Sequence, residues 1–282
     1  MSPQAFVWIN DELVPLSQAR VSVEDRGFLY GDGFFETLRV ENGHPHFLND
    51  HLERLRASAQ AFRLDLPAVA WKERLDRLLT ANGLLTGPAA VKILLTRGKA
   101  QSLGLPTSAT PTLVIYARPY QPPSPEEYRC GWPVVVFPER RTTFIGRYKS
   151  LNYLFYLAAR QYALDAGARE ALILEVDGRV SEGAATSLLL FRQDRYLTPE
   201  APSTLPGVTL AVLARALQQE GINLARRTLD LAELQQADGL WLVNSLMGVM
   251  PASALGGRSI PLLPEITRFL QQCLERQAVA YP

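Results

Sequence analysis

The sequence predicts a mixed α+β fold in two domains. Three observations carry this prediction: strand-like and helix-like segments alternate in the first half, prolines cluster near residue 119, and a second set of strands and helices follows. At 282 residues the chain can bury a sizeable core. We predict a smaller N-terminal α+β domain over 1–118, an inter-domain linker over 119–130, and a larger, β-rich C-terminal domain with helices over 131–282.

The N-terminal domain is predicted from short apolar segments and the turns between them. Residues 5–10 and 34–40 are typical of strands, and Asn42-Gly43 is a strong hairpin signal because both residues tolerate positive φ. Residues 49–62 carry apolar side chains at helical spacing. The remaining predicted elements are a helix over 68–82 and strands over 90–96 and 112–117.

The linker is predicted from the segment 119–125, which contains four prolines in seven residues. Such a run cannot continue a helix or a central strand. Beyond it, the C-terminal domain is predicted to contain strands over 132–137, 171–175, 185–191 and 240–244, and helices over 150–166, 207–221 and 264–278.

Composition narrows the class of protein. A formal charge of +1 argues against a general nucleic-acid or membrane-surface role, and no apolar run reaches membrane-spanning length. Cys130 and Cys273 lie far apart and read as free thiols, and the three clustered histidines, His44, His46 and His51, lack the partners of a metal site. With no evident signal peptide, we expect a cytoplasmic protein, and we expect it to hold no metal.

Lys149 is the most informative residue of the chain. The chain contains only four lysines but 25 arginines, and Lys149 lies at the predicted start of a helix. A solvated surface charge is the simplest interpretation of one lysine. However, a lysine amine can lose its proton and attack a carbonyl carbon, which an arginine cannot do.

Four segments in order bear on that choice. They are Arg26–Val40 followed by His51–Leu55, the Lys149 region, Asp177–Ser187 with its Ser-Glu-Gly, and Leu205–Thr209 followed by Asn244–Pro251. Their order and spacing resemble the fold-type IV (class IV) pyridoxal-phosphate enzymes over nearly the whole chain, from about residue 6 to 275. The resemblance implies a two-domain fold, pyridoxal 5′-phosphate as cofactor, and a homodimer.

The resemblance also implies site residues. Lys149 would form the Schiff base with the cofactor and then move protons, and Glu182 would face the pyridine nitrogen. The phosphate contacts would be Arg54, Val208, Thr209 and Ser245, with Val208 and Thr209 at a helix N-terminus. The candidate substrate contacts are Phe35, Arg97, Tyr153, Leu246 and Met247.

The motifs indicate the family more clearly than they indicate the reaction. Asn244–Pro251 resembles the corresponding segment of aminodeoxychorismate lyases, whereas branched-chain and D-amino-acid aminotransferases typically carry a glutamate at the position of Gly248. The Arg-x-His carboxylate trap of D-amino-acid enzymes is missing after Gly98. We therefore expect a lyase that forms 4-aminobenzoate and pyruvate through an external aldimine. A class IV aminotransferase and a non-catalytic binding protein are the alternatives.

Overall fold

The computed structural model describes residues 5–107 and 110–280. The chain forms two compact units. The first unit comprises Met1–Pro122 together with Lys149–Asn152, and the second comprises Pro123–Tyr148 and Tyr153–Pro282. Among the described residues, no helix combines the length and the hydropathy needed to cross a bilayer. The same residues contain no group of three or more His, Cys, Asp or Glu side chains that could hold a metal ion.

The first unit is a sheet with helices against one face. Its strands are β1 (Phe6–Ile9), β2 (Glu12–Pro15), β3 (Gly33–Glu41), β4 (His44–Pro45), β5 (Pro88–Lys99) and β6 (Thr110–Pro119), in the order β2-β1-β6-β5-β3-β4. Its helices are α1 (Arg26–Tyr30), α2 (Leu48–Ala61) and α3 (Trp71–Ala81). Helix α2 packs on β3, and α3 packs on β1 and β6.

The predicted hairpin after β3 is confirmed. Asn42 has φ 49° and Gly43 has φ 80°, and Glu41 pairs with His44 across this two-residue turn. Positive φ at both central residues suits the right-handed twist of the two strands. The turn thereby sets the register in which β4 pairs with β3.

The period-two pattern of the strands positions the core of the first unit. Alternate residues of β3 and β5 point to one face, where Leu38, Ile93 and Leu95 are fully buried. Leu52 and Leu55 of α2 are buried as well. Residues of opposite parity, such as Phe35, point to the other face of the sheet.

The second unit is built on a larger mixed sheet. Its strands are β7 (Trp132–Val136), β8 (Glu170–Leu174), β9 (Val180–Gly183), β10 (Ser187–Arg192), β11 (Arg195–Pro199), β12 (Leu224–Arg227), β13 (Gly239–Asn244), β14 (Gly248–Leu255) and β15 (Arg258–Ser259). The order is β12-β11-β10-β13-β14-β7-β8-β9, with β15 paired to β14. Its helices are α4 (Pro125–Cys130), α5 (Leu154–Asp165), α6 (Val208–Gln219), α7 (Leu231–Gln235) and α8 (Pro264–Ala280).

Two segments differ from the sequence prediction. The predicted helix over 150–166 begins only at Leu154, because the residues before it pair with β3. Part of the segment predicted as a linker is helical: Ser124 and Glu127 form a capping box around α4, with Pro125 at the first helical position. The domain limits drawn from the sequence remain a prediction, and the division into units counts Lys149–Asn152 with the first unit.

Candidate active site

Lys149 lies in a short extended segment that pairs with the start of β3. The N–H of Phe35 donates to the carbonyl oxygen of Lys149 at 2.9 Å, and the N–H of Leu151 donates to that of Gly33 at 2.9 Å. A Cβ on Gly33 would stand 2.4 Å from the carbonyl oxygen of Leu95, so only glycine permits this approach. Lys149 is therefore positioned by backbone hydrogen bonds to β3. It is not part of the helix that follows, which begins at Leu154.

The side chain of Lys149 lies over the ring of Phe35, with Nζ 4.6 Å from the ring centroid. Ser150 and Phe34 form an antiparallel bridge, so their neighbours Lys149 and Phe35 point together to the opposite face. Phe35 is buried, and its ring face attracts a cation. The structure thus brings together the predicted cofactor lysine and one predicted substrate contact.

The next residue of β3, Glu36, points to the helix side and binds two residues of α2. Nε and Nη2 of Arg54 lie 2.8 Å and 2.6 Å from the two carboxylate oxygens, and Nδ1 of His51 lies 2.7 Å from Oε2. Arg54, the predicted phosphate arginine, is therefore oriented by a bidentate pair with a carboxylate that is 1% exposed. Its contact with a phosphate remains a prediction.

Burial and charge act in opposite directions on this cluster. Burial by itself would raise the pKa of Glu36, but the charge of Arg54 and the hydrogen bonds from His51 and Arg54 outweigh it and lower the pKa to about 2. Burial lowers the pKa of His51 against the opposing effect of Glu36. Glu36 is therefore ionised and His51 neutral near pH 7, with Nδ1–H donating to the carboxylate.

Arg97, a predicted substrate contact, is bound on every side by the protein itself. All five N–H groups of its guanidinium are in use: two bind Asp32, and the others bind the carbonyl oxygens of Phe62, Arg63 and Pro106. The side chain is 1% exposed. With its five N–H groups in use, Arg97 ties the end of β5 to the segments around it, and its contact with a substrate stays a prediction.

In the second unit, Glu182 lies on β9 and is 5% exposed. The hydroxyl of Tyr156 donates to Oε1 at 2.6 Å, and the N–H of Leu205 donates to Oε2 at 3.2 Å. Burial, followed by the charge of Glu182, raises the pKa of Tyr156, so the hydroxyl stays protonated and remains a donor. Glu182 is therefore a fixed, oriented acceptor, as a partner for a protonated ring nitrogen must be.

Arg141 adds a positive charge beside Glu182. Its Nη2 lies 3.9 Å from Oε1 of Glu182, and its guanidinium stacks 4.3 Å from the ring centroid of Tyr156 and 4.6 Å from that of Phe155. Nε and Nη2 of Arg141 are buried and form no hydrogen bond with the described residues. The arginine therefore favours the ionised carboxylate through charge rather than through a direct hydrogen bond.

Helix α6 begins at Val208 with Gly207 as the N-cap residue, and no side chain caps it. A Cβ on Gly207 would stand 2.2 Å from Oγ of Ser187, so glycine is required here by space. Val208 and Thr209 are buried. Uncapped amides, the helix dipole and a hydroxyl form a donor set suited to a phosphate.

The turn between β13 and β14 contains the other predicted contacts. The side-chain oxygen of Asn244 accepts from the N–H groups of Leu246 and Met247 at 3.1 Å and 2.9 Å. Ser245 and Leu246 are half-buried, and their predicted roles stay open. Met247 is 4% exposed and belongs to the hydrophobic core of the second unit, and its predicted substrate contact also stays open.

Tyr153, the last predicted substrate residue, lies at the N-terminus of α5. Its ring stacks on that of Tyr156 with centroids 4.8 Å apart, and its hydroxyl donates to the carbonyl oxygen of Ala184 at 3.3 Å. It therefore supports the tyrosine that binds Glu182. Whether it also contacts a substrate remains a prediction.

Three residues of these clusters were missed by the sequence analysis: Glu36, Arg141 and Tyr156. Glu36 carried a usable signal, because it is the one charged residue in the alternating series Phe34, Glu36, Leu38, Val40. A carboxylate on an apolar strand face needs a buried partner. Arg141 and Tyr156 stand far from Glu182 along the chain and carried no such signal.

Comparison with known proteins shows which family the chain belongs to. A sequence model of the family described as amino-transferase class IV matches residues 33–255, well over half of the chain. The chain belongs to this family. Its mixed fold with a smaller and a larger unit agrees with solved structures of fold-type IV enzymes.

Relatives carry several different names. The chain is 31% identical over 281 residues to the branched-chain-amino-acid aminotransferase-like protein 2 of Arabidopsis thaliana, of which it spans about half the length (96% of this chain, 50% of that one). It is 31% identical over 277 residues to a putative branched-chain-amino-acid aminotransferase of Methanocaldococcus jannaschii, covering 94% of each. Other relatives are named D-alanine aminotransferase and aminodeoxychorismate lyase.

Among solved structures, the chain resembles the 4-amino-4-deoxychorismate lyase of Pseudomonas aeruginosa. The TM-score is 0.82 at 33% sequence identity, covering 96% of this chain and 98% of the other. Lyases and aminotransferases thus both stand among the proteins that the chain is similar to.

Enzymes of this family use pyridoxal phosphate as cofactor. The residues described above fit that group. The amine of Lys149 would suit the aldehyde. The fixed carboxylate of Glu182 would suit the ring nitrogen, and the uncapped N-terminus of α6 with the Thr209 hydroxyl would suit the phosphate. Each chemical group of the cofactor has a matching donor or acceptor in the chain.

Proposed function

We propose that the protein is a lyase that converts 4-amino-4-deoxychorismate into 4-aminobenzoate and pyruvate, a step toward folate. The observation that carries the proposal is the turn at Gly248, which has φ 71°. That conformation is strained for any residue with a side chain. It therefore disfavours the glutamate that aminotransferases typically carry there. The 33% identity to the P. aeruginosa lyase supports the same choice.

Bound pyridoxal phosphate supplies an electrophilic aldehyde and an electron-withdrawing ring. The amine of Lys149 removes the proton from the amine-bearing carbon of the substrate. The carbon–oxygen bond to the enolpyruvyl group then breaks, and the leaving enolate takes up one proton to become pyruvate. The substrate ring becomes aromatic, which supplies driving force, so the residues need mainly to orient the substrate and transfer one proton.

Glu182 and its neighbours have a supporting role in this proposal. A carboxylate held by Tyr156 and the Leu205 amide has no freedom to turn away from its partner. Arg141 keeps a positive charge beside it. Together they favour the protonated ring nitrogen on which the removal of a carbon-bound proton depends.

The test is to generate 4-amino-4-deoxychorismate in situ and to measure 4-aminobenzoate and pyruvate. The two products should form in equal amounts and at a rate proportional to the concentration of enzyme. An aminotransferase is the second candidate, supported by the names of several relatives. If neither product forms while an amino acid and a keto acid exchange their amino group, the lyase proposal is wrong.

We further propose a homodimer. The first unit exposes apolar side chains over Val23–Tyr30: Val23 and Phe28 are each 74% exposed, and Leu29 and Tyr30 are more than half exposed. Such a patch is typical of a surface that a partner covers. Light scattering should give twice the mass of the 31.3 kDa chain, and a Phe28→Ser variant should shift the protein toward monomer. A wild-type monomer at micromolar concentration would refute this.

A further inference from the structure

Ser203 lies in the loop between β11 and α6 and is 1% exposed. Its N–H and its hydroxyl donate to the two carboxylate oxygens of Glu175, each at 2.9 Å. The hydroxyl oxygen also accepts from the N–H of Thr143 at 2.8 Å. Because a backbone N–H can only donate, the single proton of the hydroxyl is left for the carboxylate. One side chain therefore binds this loop to two other segments of the second unit.

Glu175 directly follows β8 and is fully buried. Two residues earlier, Ile173 pairs with Glu182 of β9, so the two carboxylates belong to neighbouring strands. Burying a carboxylate costs free energy unless hydrogen bonds replace those it made to water. Both oxygens of Glu175 are bound by one residue, Ser203, through its backbone and its side chain. This double contact fixes the orientation of the loop at Ser203 relative to the end of β8.

The loop that Ser203 holds is also the loop that orients Glu182. The N–H of Leu205, two residues after Ser203, donates to Oε2 of Glu182 at 3.2 Å. Between them, the hydroxyl of Thr204 donates to the carbonyl oxygen of Ser181 at 3.2 Å. Three consecutive residues are thus bound to β9 or to the end of β8. The same loop then leads into the uncapped N-terminus of α6.

The segment bound at Thr143 reaches Glu182 from its other side. Nη2 of Arg141 lies 3.9 Å from Oε1 of Glu182. The backbone N–H of Arg141 donates to the carbonyl oxygen of Leu174 at 3.2 Å, and that of Thr143 donates to the Ser203 hydroxyl. Ser203 therefore binds two segments that both contact the Glu182 carboxylate: one supplies the Leu205 amide, and the other supplies a guanidinium.

We propose that Ser203, held by Glu175, is a positioning residue for the cofactor: it orients Glu182 and the N-terminus of α6 before pyridoxal phosphate binds. The proposal rests on the cofactor contacts predicted for Glu182 and α6, and it applies to a lyase and to an aminotransferase alike. Ser203 needs no contact with the cofactor for this effect. A site whose groups are ordered by folding binds more tightly, because binding then loses less conformational entropy.

The first test measures the binding of pyridoxal phosphate to the full-length apoprotein by equilibrium dialysis. Ser203→Ala removes the hydroxyl and keeps the backbone N–H, and Glu175→Gln keeps the size of the side chain and removes its charge. Ser259→Ala, on the exposed strand β15, is the matched control. We expect the Kd to rise roughly tenfold in the first two variants and to stay unchanged in the control. Because no substrate is present, the result does not depend on which reaction the enzyme catalyses.

A double variant tests whether Ser203 acts through Glu182. Ser203→Ala and Glu182→Gln should each slow the removal of the carbon-bound proton, which stopped-flow absorbance of the bound cofactor measures with the amino substrate that the wild type converts. Because both changes weaken the same contact with the cofactor ring, the double variant should be slowed by less than the product of the two single effects. Single effects that multiply in the double variant would show that Ser203 acts independently of Glu182, and would overturn the proposal.

A purely structural role for Ser203 gives a different result. Ser203→Ala would then lower the melting temperatures of the apoprotein and the holoprotein equally and leave the Kd and the rate unchanged, which overturns the proposal. If Ser203→Ala yields no folded protein, Glu175→Gln decides by the same two measurements. If Glu182→Gln keeps the wild-type Kd and rate, the predicted contact of Glu182 with the ring nitrogen is wrong, and the proposal fails with it.

Discussion

The hydroxyl of Tyr156 lies 2.6 Å from Oε1 of Glu182, and both groups are buried. The tyrosine stands on α5 and the glutamate on β9, so a helix and a strand of the second unit together orient one carboxylate. Because the phenol remains protonated, it can only donate to that oxygen. The orientation of the Glu182 carboxylate therefore depends on its neighbours as much as on its own place in β9.

Replacing Tyr156 by Phe should slow catalysis while the cofactor still binds. The variant removes one hydrogen bond to a charged group, which we expect to lower the rate of proton removal roughly tenfold or more. Stopped-flow absorbance of the cofactor measures that step directly. Tyr162→Phe, on the same helix, serves as the control and should keep the wild-type rate. Equal rates for Tyr156→Phe and the wild type would contradict the role given to this contact.

Borohydride reduction of the holoprotein should attach the cofactor to Lys149 and to no other lysine. Peptide mapping by mass spectrometry identifies the labelled residue among the four lysines. In Lys149→Ala the label should disappear and turnover should be abolished, because no other amine takes its place. Lys99→Ala should be labelled like the wild type. A label at Lys92, Lys72 or Lys99 in the wild type would refute the assignment.

The space around Gly207 predicts a double-variant experiment. In Gly207→Ala the new Cβ would stand 2.2 Å from Oγ of Ser187, so we expect a loss of stability of about 1–3 kcal/mol and weaker binding of pyridoxal phosphate. Adding Ser187→Ala removes that oxygen and should restore the melting temperature. Thermal melts with and without cofactor measure both effects. If the double variant is no more stable than Gly207→Ala, the close contact is not the cause.

Glu36 should make stability depend on pH in the acidic range. Its folded-state pKa of about 2 lies below its ordinary value of 4.5, so the carboxylate contributes stability above the ordinary pKa. This contribution is lost as the pH falls from about 4.5 toward 2. At neutral pH we expect Glu36→Gln to cost roughly 3–5 kcal/mol, because Arg54 and His51 lose their buried partner.

The difference between the wild type and Glu36→Gln should therefore shrink as the pH falls through that range. Urea unfolding at a series of pH values measures the free energy of unfolding of both proteins. Glu41→Gln, which removes a more exposed partner of Arg39, should have a much smaller effect. A difference that stays constant from pH 7 to about 3 would contradict the lowered pKa of Glu36.

Arg97→Lys tests the structural role of this arginine. A lysine cannot reproduce five N–H contacts, so the variant should lose roughly 3–5 kcal/mol of folding free energy. The fraction that folds should keep the KM of the wild type, since Arg97 has no N–H for a substrate. Arg258→Lys, on an exposed strand, is the control for the substitution itself. A large rise in KM without loss of stability would restore Arg97 as a substrate contact.

Local features of the chain were predictable. The Asn42-Gly43 hairpin, the core helix α2 and the helix that begins after Gly207 each follow from backbone preferences or side-chain spacing within a few residues. Lys149 also stood out without a structure, because its scarcity and its motif are properties of the chain alone. The boundaries were less predictable, as the late start of α5 shows.

Contacts between distant segments could not be derived from the chain. Arg97 was a candidate substrate contact because it stands near the end of a predicted strand. The chain alone did not reveal that folding brings Asp32 and three backbone carbonyl oxygens to its guanidinium.

The sequence by itself determined the family, singled out Lys149 and predicted most of the local elements, because motifs and spacing depend on neighbours along the chain. Only the tertiary structure decided which charged groups have a hydrogen-bond or ion-pair partner within the protein. That outcome depends on partners brought together by folding: Glu36 with Arg54, Arg97 with Asp32, and Glu182 with Tyr156.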